Sequence, residues 1–137
     1  MAKSKVFIIS ITFPLLLLLT LGCGGDPRVT GRVTFADDGS PVTSGTVIFS
    51  KTGYTGRAAI DSNGRFSVHS EAKGHGIPPG TYRVHLEGTE RATVEDGGFR
   101  VEHLIDRRYT NPETSGLSLT VEGSRTFDIV VERFSGN

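Results

Sequence analysis

The chain has 137 residues, with 15 Lys and Arg against 15 Asp and Glu, and it contains 18 Gly, 6 Pro and one Cys. This length predicts one modest domain with a short leader. Beyond residue 22 the chain carries 13 basic and 15 acidic residues, a net charge of −2. That balance argues against nucleic acid as a partner, because nucleic-acid binding depends on clustered Lys and Arg. The single cysteine excludes a disulfide within the chain, so folding must depend on burial of apolar side chains.

Residues 1–22 have the layout of a secretory signal peptide. Lys3 and Lys5 give a positively charged start, residues 6–21 form an apolar run, and Gly22 is a small residue at its end. The cations stay on the cytoplasmic side while the apolar run enters the bilayer. We therefore predict an exported protein whose residues 1–22 are a cleaved signal.

The only cysteine follows this leader directly. The segment Thr20-Leu21-Gly22-Cys23 resembles the lipobox of bacterial lipoproteins, usually Leu-x-Gly/Ala-Cys, with Thr20 where leucine is commonest. The resemblance implies a diacylglyceryl group on the thiol of Cys23, and often a further acyl chain such as palmitate on its amine. Two or more chains anchor a protein stably where one does not. Gly24, rather than aspartate, follows Cys23, which favours the outer membrane of the cell envelope, with the domain facing the periplasm or the cell surface.

Two alternatives for the leader stay open. Residues 6–22 are about the minimum length for an uncleaved helix crossing the hydrocarbon core of a bilayer, although Pro14 lies in the middle of this segment. Ordinary signal cleavage would instead release a secreted protein with Cys23 as a free thiol. Both alternatives lack the lipid anchor.

The rest of the chain alternates between apolar and polar residues, the pattern of strands with one buried face. The predicted strands are residues 28–35, 45–50, 57–60, 65–69 and 80–87, a short strand near 99–104, and a C-terminal hairpin of 117–121 with 127–131. Asp61-Ser62-Asn63-Gly64 predicts a hairpin turn. About seven strands without an amphipathic helical segment predict an all-β fold, an antiparallel β-sandwich.

Several short motifs resemble carboxypeptidase regulatory-like domains. They are Val29-x-Gly31-x-Val33, Gly39-x-Pro41-Val42, Gly45-x-Val47, Asp61-x-x-Gly64-x-Phe66 and Pro79-Gly80-x-Tyr82-x-Val84. The resemblance implies a prealbumin-like (transthyretin-like, Ig-like) β-sandwich. Residues 108–117 are also similar to the end of small lipoproteins that carry such a domain alone. The implied organisation is a signal peptide at 1–22, a tether at 23–27 and the β-sandwich domain at 28–133.

No residue pattern points to catalysis or to a cofactor. The histidines show no metal-ligand spacing, and alternation predicts that His69 and His85 face solvent; the four histidines are His69, His75, His85 and His103. A calcium loop at 61–64 lacks the further oxygen ligands, and a phosphate loop at 74–80 contains two prolines that have no N–H to donate. No nucleophile elbow occurs. We therefore predict no enzyme activity, no cofactor and no metal.

Residues 88–116 are mostly polar and are predicted to be irregular. They contain Arg107-Arg108-Tyr109, the densest basic and aromatic cluster of the chain, which is a candidate interaction surface because loops on a rigid scaffold often make the contacts. The predicted function is a non-catalytic binding or structural module, anchored in the membrane and facing an envelope protein or a glycan. An accessory subunit of an envelope complex and an envelope hydrolase are the alternatives.

Overall fold

A computed structural model describes residues 25–68 and 76–136. Within these residues the strands are β1 (Val29–Phe35), β2 (Thr46–Lys51), β3 (Tyr54–Ala59), β4 (Arg65–Val68), β5 (Gly80–Glu87), β6 (Glu90–Glu95), β7 (Gly98–His103), β8 (Leu117–Val121), β9 (Arg125–Thr126) and β10 (Ile129–Val131), with a 3₁₀ turn at Arg107–Thr110. None of the described segments forms a helix long and apolar enough to span a bilayer. The predicted signal peptide, the lipidation site Cys23, and two of the histidines, His69 and His75, lie outside the described residues.

The first sheet is built around β1. Strand β4 pairs with one edge of β1 in antiparallel orientation, with Val29 opposite Val68. Strands β9 and β10 pair with β1 in parallel, and β10 places Val131 opposite Phe35. Between β9 and β10, the backbone of Phe127 lies so close to Gly31 that a Cβ at Gly31 would overlap the Phe127 carbonyl. Glycine at position 31 therefore permits this parallel pairing.

The second sheet is antiparallel throughout, in the order β3-β2-β5-β8. Strand β2 pairs with β3 on one side and with β5 on the other, and β5 pairs with β8. Because side chains alternate across a strand, Phe49, Val84 and Leu119 all point to the inner face and are buried there. The bounds of β5 and β8 agree with the predicted strands.

The core lies between the two sheets, so the predicted all-β sandwich is confirmed. Phe49 lies at its centre, with its ring centroid 6.1 Å from that of Phe66, 6.4 Å from Tyr82 and 6.3 Å from Phe127. These rings come from both sheets, and their tilted or edge-to-face packing is the favoured geometry for aromatic pairs. Burial raises the pKa of Tyr82 to about 12, and its hydroxyl donates a hydrogen bond to the Pro78 carbonyl.

The turn at 61–64 forms as predicted, but the hairpin does not. The Asp61 carboxylate accepts hydrogen bonds from the amides of Asn63 and Arg65, and Gly64 has a φ of 77°. The strands on either side belong to different sheets, since β3 pairs with β2 and β4 pairs with β1. The turn therefore connects the two layers of the sandwich.

The predicted C-terminal hairpin is also wrong. Strand β8 pairs with β5 in the second sheet, and β10 pairs with β1 in the first sheet, in parallel. The chain crosses between the layers at residues 122–124, since β9 already pairs with β1. Alternation predicts that β8 and β10 each have an apolar face, but it does not specify which strand pairs with each of them. Here β1 of the first sheet is the partner of β10.

The prediction that His85 faces solvent is wrong. His85 does point away from the core, but its relative exposure is only 8%, and its cross-strand neighbour Ile48 is buried on the same outer face. Its Nε2 lies 3.3 Å from a carboxylate oxygen of Glu87, while Nδ1 has no hydrogen-bond partner among the described residues. The outer face of a central strand is therefore locally covered here, which alternation alone does not reveal.

Candidate interaction surface

The segment predicted to be irregular contains a hairpin formed by β6 and β7. These strands pair antiparallel from Glu90 opposite His103 to Glu95 opposite Gly98. Asp96 and Gly97 form the two-residue connection, with φ values of 49° and 80°. Positive φ at both positions is the signature of a type I′ turn, for which Asp-Gly is a preferred pair. The predicted strand near 99–104 is thus β7, while β6 was missed.

The register of this hairpin separates an apolar face from a polar face. Val94 lies opposite Phe99, and Ala92 lies opposite Val101, so all four side chains project to one side; we name Ala92, Val94, Phe99 and Val101 the hairpin apolar face. Phe99 is 88% exposed, Val94 71% and Val101 61%. Contiguous exposed apolar side chains of this kind are typical of interaction sites.

The opposite face of the hairpin is charged. Arg91 lies opposite Glu102, and Thr93 lies opposite Arg100. Arg100 forms an exposed ion pair of 3.3 Å with Glu95. Glu95 and the adjoining Asp96 make the tip of the hairpin acidic. The hairpin is therefore amphipathic although both of its faces are open to solvent.

The base of the hairpin is supported by a cluster of three side chains, His103, Arg107 and Phe134, which we name the base cluster. The rings of His103 and Phe134 lie 5.2 Å apart, and the Arg107 guanidinium lies 5.4 Å from the centroid of Phe134. Arg107 also approaches the Nε2 atom of His103 at 3.2 Å. Glu90 lies 3.7 Å from the other ring nitrogen. The base cluster thus fixes the hairpin to the C-terminal segment of the sandwich.

The structure separates the three residues of the predicted interaction cluster Arg107-Arg108-Tyr109. Only Arg107 belongs to the base cluster. Arg108 is exposed, forms a 3.1 Å ion pair with Glu132 and lies over the ring of Tyr109. Tyr109 is buried in the core. The Asp106 carboxylate accepts a hydrogen bond from the Arg108 amide and caps the 3₁₀ turn that separates these side chains.

The hairpin lies at the end of the sandwich opposite to residue 25. The Ile77 amide donates to the Pro27 carbonyl, just before β5 begins. At the other end of β5, Leu104 donates to the Thr89 carbonyl, and Ile105 bridges to Arg133 beyond β10. Strands of seven or eight residues at about 3.3 Å per residue separate these ends by more than about 20 Å. The N-terminal segment and the hairpin therefore leave the domain in different places.

A concave region lies on the outer face of the second sheet. It is an open groove of about 790 Å³ lined mainly by hydroxyl-bearing side chains, with Lys51 and Arg83 as its cations. Lys51 Nζ donates to the Pro79 carbonyl at 2.7 Å, and Arg83 pairs with Glu113 at 3.0 Å. Both cations are therefore already engaged within the protein, which weakens the groove as a site for an anionic ligand.

Among residues 25–68 and 76–136, titratable groups with displaced pKa values do not converge on a cleft. The pKa of Asp38 is lowered to about 2, chiefly by hydrogen bonds from Ser40 and also by Arg133, whereas Tyr82 lies in the core. Within the described part of the chain, no three His, Cys, Asp or Glu side chains are grouped so that they would hold a metal ion.

No protein-family model matches the chain, and no curated protein is significantly similar to it. Among solved structures, a DUF3823 family protein from Bacteroides ovatus is similar, with 17% identity, a TM-score of 0.48, and coverage of 80% of this chain and 45% of that chain. A DUF3823 family protein from Parabacteroides merdae is similar with 14% identity, a TM-score of 0.41, and coverage of 80% and 48%. The chain thus spans less than half the length of these two proteins.

Proposed function

We propose that this protein is a lipoprotein of the cell envelope, anchored through acyl chains on Cys23, and that it acts as a non-catalytic binding module. The observation that carries the binding role is the hairpin apolar face, on which Phe99 is 88% exposed. Exposing such a face to water is unfavourable. Binding of a partner that covers this face is therefore favourable, because it removes the apolar side chains from water.

The anchor is supported by the sequence of the leader. Residues 1–22 have a basic start and an apolar run, and the only cysteine of the chain comes directly after them. Only two residues, Gly24 and Gly25, separate Cys23 from Asp26, whose carbonyl is in close contact with the backbone at Gly76. With so short a connection, the N-terminal end of the sandwich would lie near the membrane and the hairpin would lie on the far side.

We further propose that the sandwich is a prealbumin-like domain. The motifs that resemble carboxypeptidase regulatory-like domains lie at turns and strands of the sandwich: Gly31 permits the parallel pairing of β1, and Gly64 has positive φ. These roles support a prealbumin-like domain that serves as a scaffold. The binding surface would then be carried on the hairpin, while the scaffold provides stability.

The anchor is tested by Cys23→Ser in the full-length chain. We expect the wild type to remain with the membrane fraction after a high-salt wash, because acyl chains hold it there, and the Cys23→Ser variant to lose this retention. The matched control is Ser70→Ala, a small substitution that leaves the leader unchanged. Equal retention of the Cys23→Ser variant and the wild type would refute the lipid anchor.

The binding role has its own test. We expect the photocrosslinking amino acid p-benzoylphenylalanine, in place of Phe99, to form an adduct with a partner in intact cells, whereas the same probe in place of Val130, 56% exposed on β10, serves as the control. If position 99 forms no specific adduct in intact cells, the hairpin apolar face is not a binding surface.

A further inference from the structure

We propose that the outer face of the first sheet lies against the anionic headgroups of the membrane that holds the anchor, so that the anchored domain is tilted onto this face. The inference rests on the proposed function, because it requires the acyl chains on Cys23. The face combines exposed arginines with hydroxyl-bearing side chains. We name it the arginine face, and it consists of Arg28, Thr30, Arg32, Arg65 and Ser67.

Strand register and alternation place these five side chains together. Thr30 lies opposite Ser67, and Arg32 lies opposite Arg65. Because the alternate positions of β1 and β4 face the core, these four side chains project to the outside of the sandwich. Arg28 precedes β1 and lines the same shallow hollow as Thr30. Three arginines are thus carried on one side of a two-strand surface.

The arginine face lacks the carboxylate partners that are present on the outer face of the second sheet. There, Arg57 pairs with Glu87 at 3.2 Å, and Arg83 pairs with Glu113 at 3.0 Å. Among residues 25–68 and 76–136, no carboxylate forms an ion pair with an arginine of the arginine face. The two outer faces of the sandwich therefore differ in their uncompensated positive charge.

Arg32 and Arg65 are like charges that lie directly opposite each other on antiparallel strands, an arrangement that is destabilising by itself. Arg32 Nε donates to the Asn63 carbonyl at 2.9 Å, so this contact leaves the terminal nitrogens of the guanidinium for another acceptor. A phosphate between the two guanidinium groups would offset their repulsion and accept paired hydrogen bonds, the geometry that arginine favours with phosphate. The pair therefore favours a phosphate-bearing partner over a neutral one.

Two aspartates adjoin the arginine face and offset part of its charge. The Asp128 carboxylate accepts a hydrogen bond from the Arg32 amide at 3.1 Å, and the Asp61 carboxylate accepts one from the Arg65 amide at 2.9 Å. Both carboxylates are thereby held against the backbone, whereas arginine carries its charge at the end of a long side chain. A flat anionic surface that approaches this face therefore meets the guanidinium groups first.

The predicted anchor favours the membrane as the source of the phosphate. Arg28 follows Cys23 by five positions, so an extended chain of about 3.6 Å per residue keeps it within roughly 18 Å of the anchor. Arg32 and Arg65 lie about 13 Å further along β1, which exceeds the Debye length of about 8 Å at physiological salt. An upright domain would leave these two arginines screened. Tilting the domain brings all three arginines to the headgroups, where basic residues are attracted to anionic lipids.

The test uses the full-length protein in vesicles of phosphatidylcholine, alone or mixed with phosphatidylglycerol. A fluorescent label is attached at Ser67→Cys on the arginine face or at Thr120→Cys, which is exposed on the outer face of the second sheet. The thiol of Cys23 takes no label once it is acylated. We expect a spin-labelled lipid headgroup to quench the label at position 67 more strongly than the label at position 120 in anionic vesicles, and to quench the two labels alike in neutral vesicles.

Flotation of the protein with the vesicles separates this inference from the proposed anchor. A protein that floats but is quenched equally at positions 67 and 120 in anionic vesicles would overturn the tilt and leave the anchor intact. A protein that does not float lacks the anchor, and both proposals would then be wrong.

Two further measurements identify the occupant of the arginine face. Inorganic phosphate should reduce the difference in quenching no more than sodium chloride of equal ionic strength does, and a larger reduction would make free phosphate the ligand in place of the membrane. In intact cells, p-benzoylphenylalanine in place of Ser67 should form no specific adduct with a protein. A specific protein adduct would overturn the lipid surface as the occupant.

A charge variant tests whether the arginines cause the tilt. Arg65→Glu should lower the ratio of tilted to upright molecules at least about fivefold, the effect of one cation at an anionic surface, and this appears as weaker quenching at position 67. Arg91→Glu is the matched control, because Arg91 is exposed on the hairpin and also forms no ion pair among the described residues. Equal quenching in the two variants would overturn the inference, and thermal unfolding of each variant shows whether the fold is retained.

Discussion

The sandwich and the β6–β7 hairpin use the same strand geometry but differ in what covers their apolar faces. In the sandwich, Phe49 and Val84 are fully buried because the first sheet covers the second. In the hairpin, the equivalent alternation leaves Phe99 and Val94 in solvent. The difference shows that alternation specifies an apolar face, whereas burial requires a second layer.

This difference predicts that the sandwich provides most of the free energy of unfolding and that the hairpin contributes little to it. An isolated two-stranded hairpin is at best marginally stable in water, so substitutions in β6 and β7 should change the free energy of unfolding little. Substitutions in the sandwich should change it strongly.

The largest difference is expected between two phenylalanines. Phe49→Ala removes the ring at the centre of the aromatic cluster, and the cavity should lower the free energy of unfolding by about 3–5 kcal/mol. Phe99→Ala removes an exposed ring and should change this free energy by no more than about 0.5 kcal/mol. Urea denaturation of both variants measures the contrast. Similar losses in the two variants would mean that the hairpin is part of the cooperative core.

Two glycines give the next comparison. Gly31→Ala forces a Cβ against the Phe127 carbonyl and the ring of Phe66, and we expect a loss of about 1–3 kcal/mol in the free energy of unfolding. Gly98→Ala in the hairpin meets only the Glu95 carbonyl, at 3.7 Å, and should stay within about 0.5 kcal/mol of the wild type. A tolerated Gly31→Ala would argue against the parallel pairing of β1 with the C-terminal strands.

Two hydroxyl groups give a smaller contrast. Ser115 is buried, and its Oγ donates to the Val84 carbonyl at 2.5 Å and accepts from the Leu117 amide at 3.1 Å. Ser115→Ala leaves both groups without this partner, which should cost about 1–3 kcal/mol. Thr93→Val in the hairpin removes an exposed hydroxyl whose contact with the Arg100 carbonyl is 3.5 Å, and its thermal midpoint should match the wild type.

The smallest effect concerns the pH dependence of stability. The pKa of Asp38 is about 2 in the fold, chiefly because Ser40 donates hydrogen bonds to its carboxylate, and about 3.9 in an unfolded chain. Because the folded value is lower, the ionised carboxylate stabilises the fold above about pH 4, and this contribution is lost as the pH falls toward 2. Asp38→Asn should therefore flatten the pH dependence of unfolding between pH 4 and 2.

The cause of that shift can be tested separately. An NMR titration of the Asp38 carboxyl should show a larger rise of its pKa in Ser40→Ala than in Arg133→Gln, because the hydrogen bond from the Ser40 hydroxyl is the largest single cause of the shift. A larger rise in Arg133→Gln would reverse this order and make the ion pair the main determinant.

Much of the sandwich was predictable from local patterns. The bounds of β5 and β8 were predicted without error, and those of β1 and β2 within one residue, because regular alternation and flanking glycines are local properties. Strand β6 was missed because Glu90, Arg91 and Glu95 obscure its apolar positions. The Asp96-Gly97 pair, between Val94 and Phe99, was the signal that would have located this hairpin.

The candidate surface was predictable only in part. Residues 88–116 were expected to carry an interaction surface, and the hairpin lies among them. The sequence grouped Arg107, Arg108 and Tyr109 because they are adjacent. The capped 3₁₀ turn instead directs Tyr109 into the core and brings Arg107 to Phe134, 27 positions along the chain.

By itself, the sequence determined the class of the fold, the positions of most strands and the apolar face of each, because these depend on side-chain alternation and turn residues within a few positions. Only the tertiary structure decided that β8 and β10 join different sheets, that His85 is covered, and that the hairpin apolar face is open. These outcomes depend on which distant segments meet, and the free energy of burial is gained only where a second surface arrives.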